Sequence, residues 1–336
     1  DLGFETKLFD NKVEVTADYF NNTRTDLIVA GVPISGINGS YAPGSGAPSV
    51  NAGKVRNSGF ELVLNYKNNI NDFKYDLGFN ITTINNEVLE VNNSTHYIES
   101  GAFAIGQLPP TRMEVGQPIG VFYGLQTEGI FQNQAEINAS PVQNLGSPTS
   151  PGDFKYKDVN GDGVVNFKDR TYIGKAIADY TLGFNINLNY KNFDFVSYAY
   201  ASVGNDLIRN YERTENKLNK LNYQLDRWTG EGTSNSVPRV TTGASSNNLF
   251  SSYFVEDASF LRIQNIQLGY SLPKKIIETV GISKFRLYGS INNVYTFSKY
   301  RGFDATANTG DPISGGIDSG FYPTPRIFSL GLNVNF

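Results

Sequence analysis

Cysteine is absent from this 336-residue chain, and histidine, methionine and tryptophan occur once each. Without cysteine there is neither a disulfide framework nor a thiolate nucleophile or metal site. No run approaches the ~18 consecutive apolar residues of a membrane-spanning helix, and no secretory signal opens the chain. Asp1 is not a natural start, so upstream sequence is expected. Charge is scarce: 18% of residues are charged, the net charge is −4, and there is no basic run. Nucleic acid and polybasic membrane docking are therefore poor readings. Neither a phosphate-binding glycine loop nor a zinc signature is present. What the chain has in quantity is 20 Tyr, 23 Phe, 38 Asn and 34 Gly. That mixture suits short strands and turns and disfavours helices, so the expected fold class is all-β.

The strands show in a period of two. In the final stretch RIFSLGLNVNF, Phe328, Leu330, Leu332, Val334 and Phe336 alternate with Ser329, Gly331, Asn333 and Asn335. The same alternation places Leu182, Phe184, Ile186, Leu188 and Tyr190 on one face against Gly183, Asn185, Asn187 and Asn189 on the other. It recurs around Val13–Tyr19, Phe60–Tyr66 and Tyr75–Ile81. Each such strand has one apolar and one wet face. Eleven strands are expected, near 3–9, 13–29, 54–67, 73–90, 97–115, 119–131, 178–190, 193–206, 254–272, 285–298 and 324–336.

Tight turns at 9–12, 67–72, 116–118 and 191–193, and a longer one at 273–284, alternate with long polar connections near 30–53, 91–110, 132–177, 207–253 and 299–323. Twelve of the 22 residues from Gly31 to Ala52 are Gly, Pro or Ser, a composition that packs no core. Short turns at one rim and long loops at the other are the pattern of a transmembrane antiparallel β-barrel. In hydrocarbon every backbone N–H and C=O must be paired, and a sheet achieves this by closing on itself. Tyr19, Tyr66, Tyr190, Phe193 and Tyr270 are expected in the interfacial aromatic girdles. First and last strands run the same way, whereas single-chain barrels have both ends on one side. The eleven strands therefore read as the C-terminal part of a larger barrel.

Six stretches in order carry a family resemblance: GKVRNSGFELVLNY (53–66), VGQPIGVFYGLQTEGIF (115–131), GDFKYKDVNGDGVVNFKDRTYIGKA (152–176), DRWTGEG with VPR (226–239), VEDASFLRIQNIQLGYSLP (255–273) and FYPTPRIFSLGLNVNF (321–336). They resemble the C-terminal half of a SusC/RagA-like TonB-dependent outer-membrane transporter. The resemblance implies a 22-stranded barrel, with plug and TonB box outside this chain, and a multi-pass outer-membrane location in a Gram-negative cell. It implies import of oligosaccharides or oligopeptides with a SusD-like surface lipoprotein, energised through TonB, and a homodimer of the transporter–lipoprotein pair as one assembly. Ser329, Gly331, Val334 and Phe336 fit the assembly signal through which such last strands engage the barrel-assembly machinery.

Candidate chemistry is confined to one loop. In DVNGDGVVNFKD, Asp158, Asn160, Asp162, Val164 through its carbonyl, Asn166 and Asp169 stand at positions 1, 3, 5, 7, 9 and 12 of an EF-hand-like Ca²⁺ loop. Asp169 replaces the usual Glu and no helix pair flanks the loop, so an Asx-rich turn without an ion is the alternative. Trp228 could stack on sugar, but a structural role is the expectation. His96 has no nucleophile motif to serve, and Glu256 and Asp257 point to opposite faces of a strand rather than forming a carboxylate pair. The expected protein is no enzyme. A passive porin would share the barrel and lack a plug; a secreted Ca²⁺-dependent β-rich binding protein would share the acidic loop and lack the terminal signal.

Overall fold

In the computed structural model, residues 1–29, 50–93, 95–104, 106–212, 219–308 and 310–336 are described. Most of the expected 30–53 connection lies outside them. Nine strands form one antiparallel sheet in sequence order: β1 (Leu2–Leu8), β2 (Val13–Val29), β3 (Val50–Ile70), β4 (Phe73–Thr83), β5 (Tyr180–Tyr190), β6 (Phe193–Val203), β7 (Phe260–Ser271), β8 (Lys284–Ser298) and β9 (Ile327–Asn335). A tenth strand, Asn85–Val91, pairs with the far end of β3.

Register sorts the side chains into two continuous faces. Leu64 lies opposite Phe79, Phe79 opposite Phe184, and Phe184 opposite Ala199. Farther along the sheet Phe195 faces Leu268, Leu268 faces Gly289, and Gly289 faces Leu330. The opposite face carries Asn65, Gly78 and Asn185 in one row, then Asp194, Gly269 and Tyr288 in another. An exposed apolar face this wide is stable only against hydrocarbon. Where it meets the short turns, Tyr66, Tyr75, Phe73 and Tyr190 form a chain of ring contacts with centroids 5.5–6.5 Å apart, and Phe193 meets Tyr270 at 4.7 Å. Four of the five expected girdle residues thus lie in one belt; Tyr19 stands farther from its turn, opposite Leu2 and Phe60.

Polar-face glycines let neighbouring side chains lie flat against the wall. A Cβ on Gly78 would sit 2.3 Å from the Asn185 amide, one on Gly269 2.5 Å from Arg286 and Asp194, and one on Gly331 2.4 Å from the Tyr288 ring.

Two expected strands are elsewhere. Thr83 at the end of β4 pairs directly with Tyr180 at the start of β5, so the stretches 97–115 and 119–131 do not enter this sheet. They supply Tyr97–Ser100, Thr111–Glu114 and Val121–Gly124, which join Thr171–Lys175 in a separate four-stranded sheet. The turn at Gly116 belongs to that sheet, within the 84–179 connection. Four-residue strands are too short to cross a bilayer, which takes about 9–11 residues.

Among the described residues, the long connections 84–179, 204–259 and 299–326 at the rim opposite the short turns therefore have a fold of their own. Asp206–Arg209 pairs with Val255–Asp257 and with Ile317–Asp318, tying the second and third connections together. Phe103, Phe122, Ile208, Phe250, Phe254 and Ile317 make a core from all three. Leu207, Ala258, Tyr300, Ala305 and Ala307 pack with Phe260. Phe260 precedes Arg262 by two residues and shares its face, the polar one, so this cap seats on the inward side of the sheet.

Candidate functional site

The cap is held by ion pairs buried between segments distant in sequence. Arg209, the last residue of its strand, has a fully buried side chain. Its Nη1 lies 2.5 Å from Glu212 and its Nε 3.1 Å from Glu256, while Nη2 donates to the Tyr253 carbonyl at 3.2 Å. The two carboxylate contacts are too oblique to count as hydrogen bonds, so charge holds them. Burial alone would lower the Arg209 pKa; Glu212 and the neighbouring tyrosines outweigh it, and the guanidinium stays charged. Tyr223 donates to Glu212, and burial pushes its hydroxyl well above the usual range. Arg301 shares Glu256 from the solvent side at 2.7 Å.

A second pair joins cap to wall. Arg262, on the polar face of β7, donates to Asp304 at 2.6 Å and to Thr296 at 2.8 Å. Burial would raise the Asp304 carboxyl, but hydrogen bonds from Thr306 and Arg262 hold it at about 2. In a third pair, Arg239 grips fully buried Asp153 through both carboxylate oxygens, at 2.7 and 3.1 Å. In the four-stranded sheet, Arg112 lies over the Tyr97 and Tyr123 rings at 3.9 and 3.5 Å and pairs with Glu99 and Glu114.

Beside Arg209 and Arg239 opens a cleft of about 460 Å³ lined by Arg209, Glu212, Leu225, Arg227, Val240 and Tyr253, among others. Sequence reasoning did not find it.

The acidic loop is closed by its own backbone. Asp158 accepts from Gly161 and Gly163 N–H at 2.7 and 2.8 Å, Asn160 from Asp162 at 2.8 Å, and Asp162 from Val164 at 2.9 Å. Asn166 accepts from Lys168 and donates to the Val164 carbonyl. Buried Asp169 takes Val159, Asn160 and Asn166 N–H. The six residues are gathered in one turn, and among the described residues no three acidic or imidazole side chains converge as a metal cluster.

Trp228 is structural: its indole donates to Gln132 at 3.1 Å and covers Gly152, where a Cβ would come within 2.4 Å of the ring. His96 is exposed on its loop. Glu256 takes the arginines while Asp257 turns away to accept from Ser259 N–H at 2.9 Å. In β9, Ser329 and Gly331 lie on the polar face, opposite Ser290 and Tyr288. Val334 shares the apolar face with Leu332, and Phe336 follows the strand at 92% exposure.

Residues 1–190 match the family model for the TonB dependent receptor-like β-barrel. The chain is 32% identical over its full length to TonB-dependent receptor P3 of Formosa agariphila, of which it covers 34%. It is 31% identical to the TonB-dependent receptor SusC of Bacteroides thetaiotaomicron, over 85% of this chain and 27% of that one. The chain thus spans about a third of the length of these curated relatives. The RagAB peptide transporter superposes over 99% of the chain with a TM-score of 0.78 at 22% identity, covering 34% of that structure, and this shows a shared fold. By sequence and by architecture, the chain belongs to the TonB-dependent receptor family and forms part of its β-barrel.

Proposed function

We propose that the protein containing this chain is an active outer-membrane importer of oligosaccharides or oligopeptides, driven through TonB and working with a SusD-like surface lipoprotein. The observation that carries this reading is the pairing of the two sheet faces with the cap. A continuous apolar face suits lipid, a polar face suits a lumen, and the connections at one rim fold over the polar side, where a solute would enter. A barrel of 22 strands has a wide lumen that would leak unless occluded, which is the physical reason for a plug and an energised release. The β9 residues Ser329, Gly331, Val334 and Phe336 would serve as the assembly signal. The chain supplies wall and rim and performs no bond chemistry.

Growth on the cognate oligomer in cells carrying the complete gene tests the proposal. Uptake is expected to fall to background when TonB is deleted or the proton-motive force is dissipated. Uptake that survives both treatments makes a passive porin the better reading.

We also propose that the 158–169 loop takes Ca²⁺, with Asp158, Asn160, Asp162, the Val164 carbonyl, Asn166 and Asp169 as the oxygen donors. The order and type of the donors support this, while the amide set described above gives the loop a way to close alone. The ion would staple the loop and do nothing chemical. Calcium at about a hundred times its Kd would then stabilise the fold by about 2.7 kcal/mol. The expected result is a melting temperature that drops on chelation in the native protein and is unmoved by chelation in Asp162→Ala. Identical chelator responses in both remove the ion and leave the Asx turn.

A further inference from the structure

Charge in the 460 Å³ cleft is unevenly compensated. Arg209 is matched by Glu212 and Glu256, and Arg239 by Asp153. Arg227, from the same wall, meets no carboxylate among the described residues; its one hydrogen bond among them is a long 3.4 Å donation to the Gln224 carbonyl. A planar guanidinium left this free is a bidentate receptor for a carboxylate.

Beside it stand two unpartnered aliphatic side chains, Leu225 at 75% exposure and Val240 at 63%. The exposed amides of Asn222 and Asn248 also line the cleft. The aromatic lining is not available for stacking. Phe103 and Phe254 are buried against each other with centroids 4.9 Å apart, and Tyr253 packs edge-on to Phe254 at 5.0 Å.

We infer that this cleft is a subsite for the carboxylate end of a short oligopeptide with an aliphatic last residue: Arg227 takes the carboxylate, Leu225 and Val240 the side chain, and Asn222 and Asn248 the preceding peptide group. A sugar chain would need an open aromatic face, and the cleft offers aliphatic surface instead. The inference rests on the importer reading and selects one of its two substrate classes.

Calorimetry on the full-length transporter in detergent, with the tripeptide Ala-Ala-Leu as the free acid and as the C-terminal amide, tests it. The acid is expected to bind about tenfold tighter than the amide, one charge-assisted bond. Arg227→Gln should erase that difference, chiefly by weakening the acid; because Arg227 has only the weak Gln224 contact, the fold should survive. Leu225→Ser should weaken acid and amide alike. Equal affinities for acid and amide in the native protein overturn the subsite, as does tighter binding of trigalacturonate than of the peptide acid. Either result leaves TonB-dependent uptake standing, whereas uptake without TonB would sink the importer and leave the subsite untouched.

Discussion

Gly59→Ala is expected to prevent assembly of the full-length barrel, whereas Gly289→Ala leaves assembly intact. At Gly59 a Cβ would lie 1.9 Å from the Thr83 carbonyl oxygen and 2.7 Å from the Phe20 ring. The close approach has a cause in the topology. β3 is longer than its neighbour: Glu61–Ile70 pairs with β4, while Gly53–Ser58 pairs with Asn85–Val91. Between the two the chain steps sideways. Ile84 donates instead to the Asp179 carbonyl at 2.9 Å, and Phe60 N–H goes to the Thr83 hydroxyl at 2.8 Å. Gly59 faces that step, and a backbone carbonyl cannot swing aside as a side-chain tip can. Overpacking of about 1–3 kcal/mol and about 1 kcal/mol for each hydrogen bond displaced would fall on the strand that joins wall to cap. A Cβ on Gly289 meets Leu330 Cδ2 at 3.4 Å and the Ser329 carbonyl oxygen at 3.9 Å, both ordinary contacts. Alanine there would change stability by under about 1 kcal/mol. Heat-modifiable migration on gels and surface labelling read both variants, and equal levels of the two would refute the steric account.

The wall was legible because lipid and lumen demand different side chains on alternate positions. β5 could be drawn from Leu182, Phe184, Ile186 and their Asn neighbours before any contact was known. The stretches 97–115 and 119–131 alternate too, but period two reports only that a strand's faces differ, without saying what each meets. Thr111, Arg112 and Met113 are all buried, so both faces of that strand meet protein. Strand length was the missed discriminator. Glu99, Arg112 and Glu114, charged residues within so short a span, were a second one, since a lipid-facing strand does not hold ion pairs at its centre.

The site was legible only where it is local. The acidic loop closes within twelve residues, and its oxygens can be counted along the chain. Arg239 meets Asp153 across 86 residues, and Arg262 meets Asp304 across 42. No spacing rule links such partners, because three connections must first fold over the rim. Single arginines in loops rich in Gly, Ser and Asn read as solvated charge until burial shows otherwise. The assembly signal is intermediate: the residue pattern of Ser329, Gly331, Val334 and Phe336 is visible, but its division into polar-face and apolar-face members is a matter of register.

Arg209→Ala is expected to loosen the cap while leaving the wall folded. The substitution removes a fully buried cation and leaves Glu212 with the Tyr223 hydroxyl and Glu256 with Arg301, on side chains only 16% and 10% exposed. Removing one partner of a buried ion pair costs about 3–5 kcal/mol, most of it desolvation no longer repaid by attraction. The cost is local, because Arg209 ties the Asp206–Arg209 strand to Val255–Asp257 and lies 5.0 Å from the Tyr223 ring. The nine-strand sheet depends instead on its own ladder and on hydrocarbon. Arg301→Gln removes a different partner of the same Glu256, but Arg301 is 43% exposed, so its loss is worth about 0–1 kcal/mol. Limited proteolysis of the purified full-length protein should cut Arg209→Ala within 204–259 far faster than wild type or Arg301→Gln, with heat-modifiable migration unchanged in all three. Equal cutting of the two arginine variants would show that burial of Arg209 carries no weight, and loss of heat modifiability would show that the cap and the wall fold as one unit.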